Sequence, residues 1–146
     1  MAGTGATFSN DLLLLILQAV AIGNLADNAA TSPITNTYLS LHTATPAAGN
    51  QTTSEAAYPS YARQARVRST SSPGWTVATN VATLSANVSF PASTGSPSET
   101  ETYFAVGQAV SGTGKVYFYG PISPTIAVTA AGVTPQLTTG STITLT

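Results

Sequence analysis

One histidine, His42, and a handful of charged side chains carry nearly all the acid–base chemistry this 146-residue chain can offer. With no cysteine and no second histidine, transition-metal sites lose their usual ligands, so no metal and no cofactor are expected. A Ser-His-Asp triad would have to use His42, and no serine stands in a G-x-S-x-G elbow. His42 is therefore expected to be a strand residue contacting a neighbouring loop. "SGTGK" (111–115) has the flavour of a phosphate loop, but Ala109 occupies the position of its first glycine and Val116 follows Lys115, so a hairpin turn is expected instead. Glu99 and Glu101 stand two apart on one potential strand face. Two carboxyls can serve glycoside cleavage, yet a solvated pair is the expectation, and no residue is assigned a catalytic role. Arg63, Arg66 and Arg68 are a cluster, holding all the basic charge except Lys115. The planar guanidinium fork suits carboxylates. The cluster is either a solvated strand face or an ion-pairing patch for an acidic partner, including Glu55, Glu99 or Glu101 of a neighbouring copy.

Short strands must position these groups. "TYLSLHT" (37–43) alternates, with Leu39 and Leu41 on one face and Tyr38, Ser40 and His42 on the other. A polar loop with two prolines follows (44–60), long enough to be functional or held down by a neighbour. "YARQARVRS" (61–69) alternates again. "SPGW" turns into Trp75-Thr76-Val77, and "VATLSANVSFP" (81–91) places Leu84, Ala86, Val88 and Phe90 on one face. "TYFAVGQAV", "SGTG" and "KVYFYGPI" (102–122) read as a β-hairpin with aromatic cross-strand contacts from Tyr103, Phe104, Tyr117, Phe118 and Tyr119. "TIAVTAAG" (125–132) and "STITLT" (141–146) are two more strands. The expected fold is mainly β, a β-sandwich or jelly roll with one N-terminal α-helix, in a single domain 1–146 with helix 8–23 and sandwich 37–146.

The helix is "NDLLLLILQAVAI". It is expected to be capped by Ser9 or Asn10, with Asp11 in the first turn, and stopped by Gly23-Asn24. No basic residue precedes it, as a secretion signal would require. The apolar run from Leu12 to Ile22 is broken by Gln18 and falls short of the ~20 residues of a membrane span, so no membrane partner is expected. Leu12, Leu13, Leu14, Leu15, Ile16 and Leu17 cover every direction around the axis. A helix apolar all round is buried all round. A small β-domain covers one face, so these six residues are the expected assembly interface.

The surroundings suit a packed protein. Charged residues make up 6% of the chain against roughly 25% in typical soluble domains. A net charge of −1 excludes a general electrostatic grip on nucleic acid. One Trp, six Tyr and four Phe in alternating patterns argue against disorder.

The order "YLSLHTATP", "YARQ", "VSFP", "YFAVGQAVSGTGKVYFYGPI", "TITL", running from about Leu12 to Leu145, resembles a family of small tailed-bacteriophage virion proteins. The family pattern "LHTADP" has Thr45 here in place of its Asp, and Ala105 stands at the family's hairpin glycine. The resemblance implies a non-enzymatic structural protein located in the virion, assembled in the host cytoplasm. The leading expectation is a capsid decoration (cement) protein, a homotrimer bound to the major capsid protein. Its alternatives are a tail or neck component, an adaptor or short fibre head contacting tail proteins, and a carbohydrate-binding host-attachment module stacking sugars on Tyr103, Tyr117, Tyr119 or Trp75.

Overall fold

The computed structural model describes residues 6–22, 34–47 and 49–145. Among these residues one helix and nine strands follow in order: α1 (Ala6–Gln18), β1 (Asn36–His42), β2 (Gln64–Val67), β3 (Trp75–Ala78), β4 (Val81–Leu84), β5 (Val88–Ser89), β6 (Glu99–Gly107), β7 (Val116–Val128), β8 (Gln136–Leu137) and β9 (Thr142–Thr144). The fold is mainly β, with antiparallel sheets and one short helix, as in a β-sandwich. The sheets run β2-β1-β6-β7, β3-β4-β9 and β5-β8. Among the described residues no helix is long and apolar enough to cross a membrane.

The chain forms two compact units, one of residues 1–36, 66–87 and 138–146, the other of 37–65 and 88–137. In the first, α1 packs on β3 and β4. Ser9, Leu13 and Leu17 recur every fourth residue and all three are fully buried, the single stripe that a helix lays on a sheet. Trp75, Ala82, Leu84 and Ile143 complete that core. Removing Leu13 and Leu17 from water stabilises the unit by roughly 1.5–3 kcal/mol each.

The second unit is built on β6, paired with β1 on one side and β7 on the other. Leu39, Ser40, Leu41 and His42 are buried in succession, so both faces of β1 are covered and its sequence alternation marks no solvent side. The strand expected at 125–132 is continuous with the hairpin: β7 runs to Val128 and returns to β6 through Glu99↔Val128, Thr100↔Ala127 and Glu101↔Ile126. The strand expected over 81–91 is divided into β4 and β5, and β8 has no counterpart in the sequence expectation.

The helix departs from expectation at both ends. Ser9 and Asn10 lie inside α1, which begins at Ala6, and do not cap it, and Asp11 lies beyond its first turn. At the other end the helix stops at Gln18, with Ala19 in the left-handed region (φ 58°), before the expected stop at Gly23. Gly23 and Asn24 fall outside the described residues. The early stop has a tertiary cause, given below.

Candidate functional site

The three arginines do not form a surface patch. Arg63 and Arg66 are 7% and 8% exposed. Arg63 sits just before β2 and its guanidinium is a hub. Nε donates to Glu55 Oε1 at 2.6 Å and Nη2 to Glu55 Oε2 at 2.7 Å, the two-pronged geometry that makes arginine–carboxylate pairs directional. The same group donates to the carbonyls of Ala109 (2.9 Å) and Gly112 (2.8 Å) in the turn joining β6 to β7. Tyr61 Oη donates to Glu55 Oε1 at 3.1 Å while accepting the Leu41 N–H at 3.0 Å. Glu55 also bridges to the end of β1 at His42. One ion pair thus ties β1, the 44–60 loop, the Tyr61–Arg63 segment and the hairpin turn together. The pairing anticipated for a neighbouring copy is made within the chain.

Gln51 fastens the same turn from below. Its Oε1 accepts the Ala109 N–H at 2.8 Å and its own backbone N–H reaches the Gly114 carbonyl at 2.9 Å. Gly107 and Gly114 are required here by contact. A Cβ at either would lie 2.2 or 2.3 Å from the Gln51 side chain, closer than atoms can approach.

Arg68 has a different task. Nε and Nη2 donate to the carbonyls of Ile16 and Leu15, both at 2.6 Å, and Nη1 donates to Ile34 O at 2.7 Å. The Val20 N–H takes the Leu14 carbonyl at 3.2 Å. The last-turn carbonyls of α1, which lack partners inside the helix, are therefore met by a cation placed at the negative end of its dipole. This fixes the end of α1 near Gln18, whose Nε2 donates to Trp75 O at 2.9 Å. Arg68→Ala is expected to lower stability by about 2–3 kcal/mol, and Arg68→Lys by roughly half as much, since lysine keeps the charge without the fork. Thermal melts followed by circular dichroism check this, and an Arg68→Ala melt equal to wild type would refute the cap. Arg66 Nη2 donates to Asn87 O at 2.9 Å.

His42 meets the expectation of a loop contact. Its Nδ1–H donates to Thr53 O at 2.9 Å, leaving Nε2 to accept from Ser40 Oγ–H at 2.8 Å. Burial pulls the imidazole below its ordinary 6.5, outweighing the Thr53 bond and the Glu55 charge, so the ring is neutral. Ser40 and His42 are both fully buried.

Glu99 and Glu101 are not a solvated pair. Glu99 accepts the N–H groups of Ala57 (2.9 Å) and Tyr58 (2.7 Å), holding the end of the long loop to β6. Glu101 is fully buried, and neither of its oxygens receives a conventional donor. Burial first, then the hydrogen bond to Glu99 and the Glu99 charge, push its carboxyl up to about 8. That shift favours the neutral form of the carboxyl at pH 7. Burial and the two carboxyls together also hold the Tyr58 phenol far above its ordinary range.

The aromatic residues named as stacking candidates are mostly withdrawn from solvent. Trp75 is 1% exposed, Tyr103 and Tyr117 are half-buried, and Tyr119 alone is open at 49%. Across the β6–β7 ladder aromatic residues face small ones, Ala105↔Tyr119 and Phe104↔Gly120, in place of the expected aromatic pairs. The aromatic cluster lies elsewhere. Tyr58 meets Tyr61 edge-on at 5.4 Å, and Tyr61 stacks on Phe90 at 6.2 Å.

Of the six residues expected at an assembly interface, Leu13 and Leu17 are fully buried within the first unit. Leu12, Leu14, Leu15 and Ile16 are half-buried. An Asp at Leu17 would therefore disrupt the fold itself, and only the other four remain available to a partner.

Residues 15–144 match the family described as Podophage GP4 fiber I protein gp80. A search of curated proteins finds no match.

Proposed function

The chain belongs to the podophage GP4 fiber I protein gp80 family, a family of phage virion structural proteins, and from this premise we propose that it is a tail-associated, non-enzymatic fibre component joined to other virion proteins. The family match, which spans nearly the whole chain, carries this reading. It favours the tail or short-fibre alternative over capsid decoration, the leading expectation from sequence, because the matching family is described as a fibre.

The non-enzymatic reading draws support from burial. Ser40 and His42 make the one serine–histidine hydrogen bond among those described, and no substrate reaches two fully buried side chains. Glu101 is likewise enclosed. What the rest of the molecule invests in is rigidity. Glu55–Arg63 and Gln51 pin the hairpin turn, and Arg68 pins the helix end. Self-association, as a trimer, belongs to the same proposal, with Leu12, Leu14, Leu15 and Ile16 as its apolar surface.

Antibody or gold labelling of intact particles tests the location. Label confined to the tail and its vertex is the expected result, together with a multimeric mass for the purified chain. Label spread evenly over the capsid would overturn the tail assignment and restore the decoration reading.

A further inference from the structure

The second unit holds a solvent-open cavity of about 250 Å³ whose floor is the Glu55–Arg63 pair and whose rim is the turn at Val110, Ser111 and Gly112. We propose that this cavity binds a single uncharged sugar ring. The charges argue for neutrality. Arg63 serves an anion poorly, because its side chain is 2% exposed and four of its five N–H groups are engaged by Glu55, Ala109 O and Gly112 O. Glu55 attracts a cation poorly, because the guanidinium neutralises it at 2.6 and 2.7 Å.

What the floor does offer is acceptors. The Glu55 side chain is 16% exposed, and Arg63 and Tyr61 fix its carboxylate plane. Hydroxyl donors therefore meet oxygens that need no reordering. Ser111 and Gly112 also line the cavity, so a hydroxyl and a backbone carbonyl belong to its rim, the carbonyl with one lone pair already taken by Arg63.

The rim also presents an apolar wall. Val110 is 62% exposed, yet its neighbours are held on both sides, Ala109 by Arg63 and Gln51 and Gly112 by Arg63. An exposed aliphatic side chain on a pinned turn is a contact already ordered before any ligand arrives, which lowers the entropic cost of binding. Ala62 extends this wall. Acceptors on one side and hydrocarbon on the other match a ring with hydroxyls at its edge and C–H groups on its face. The volume lies below the ~300–1,000 Å³ of sites for drug-sized ligands, so the occupant is one ring.

The inference concerns the cavity alone and stands apart from the tail assignment, so either can fail without the other. The test is an amide NMR titration of the full chain with the methyl glycosides of glucose, galactose, mannose and N-acetylglucosamine, with inorganic phosphate as the anionic comparator. Saturable shifts confined to residues 55–63 and 109–112, with at least one glycoside and millimolar affinity, are expected. Val110→Asp, a rim change that leaves the ion pair intact, should weaken that binding at least about tenfold, the lower end of what one apolar contact decides. No saturable shift with any of the four glycosides, equal binding by the variant, or phosphate binding in their place would each overturn the proposal.

Discussion

Arg63→Ala is expected to destabilise the second unit by about 3–5 kcal/mol, the cost of breaking a buried ion pair from one side. The size follows from what is left behind. Glu55 keeps its charge in a site where only 16% of its side chain meets water, and the carbonyls of Ala109 and Gly112 lose their donor in the same step. Domains of this size have roughly 5–15 kcal/mol in total, so the variant should lose a large share of its margin of stability. Glu55→Gln should cost less, because Arg63 keeps both carbonyls and the amide oxygen still accepts one N–H. Replacing both residues with Met should recover much of the loss, since two apolar side chains need no counter-charge. Urea denaturation of the four proteins measures these three differences. A loss under about 1 kcal/mol for Arg63→Ala would make this an ordinary surface pair, and the account of the pinned turn would fall with it.

The arginine cluster marks a limit of local sequence pattern. Alternation over 61–69 told which residues share a face and revealed that three cations lie close together. It carried no information about the opposite side. Glu55 lies eight residues before Arg63, across the end of a polar loop, and the Ala109 and Gly112 carbonyls lie more than forty residues after it. Backbone acceptors leave no mark in residue type, so an internal hub looked like an external patch. The helix shows the same effect. Gly23-Asn24 is a strong local stop, but the Arg68 guanidinium some fifty residues away meets the carbonyls of Leu15 and Ile16 first. The burial of Glu101 has a related cause: a β6 residue opposite Ile126 is covered by the return of β7, where local pattern implies a separate strand. What local pattern did show was the strand content, the hairpin and the His42 loop contact, since each depends on neighbours in the chain. The "YARQ" motif was visible as a motif, and its Tyr61 and Arg63 turn out to hold the same carboxylate.

Glu101 should give the protein an alkaline weakness well inside the ordinary pH range. Its carboxyl lies near 8 in the folded chain against 4.5 when exposed, with Glu99 and the Tyr58 phenol as the titratable groups facing it. Between those values the folded state holds a proton that the unfolded state has released. Each unit rise in pH then removes up to about 1.4 kcal/mol, and the contribution is complete only below about 4.5. His42 acts in the opposite sense. Its folded value is lowered, so below 6.5 the unfolded chain takes up a proton that the native ring refuses, and stability is lost on acidification. Under 6.5 the two slopes oppose each other. Above it the Glu101 slope stands alone, and Tyr58 titrates too far above this window to contribute. Chemical denaturation should therefore show a steady fall in stability from about 6.5 to about 8. Glu101→Gln keeps the shape of the side chain and carries no titratable proton. It should abolish the fall while leaving the acid side governed by His42, so that the variant gains stability relative to wild type as pH rises. A wild-type curve level from 6.5 to 8, or a variant curve that still falls, would show that Glu101 is ionised in the folded chain and that its burial is relieved by water.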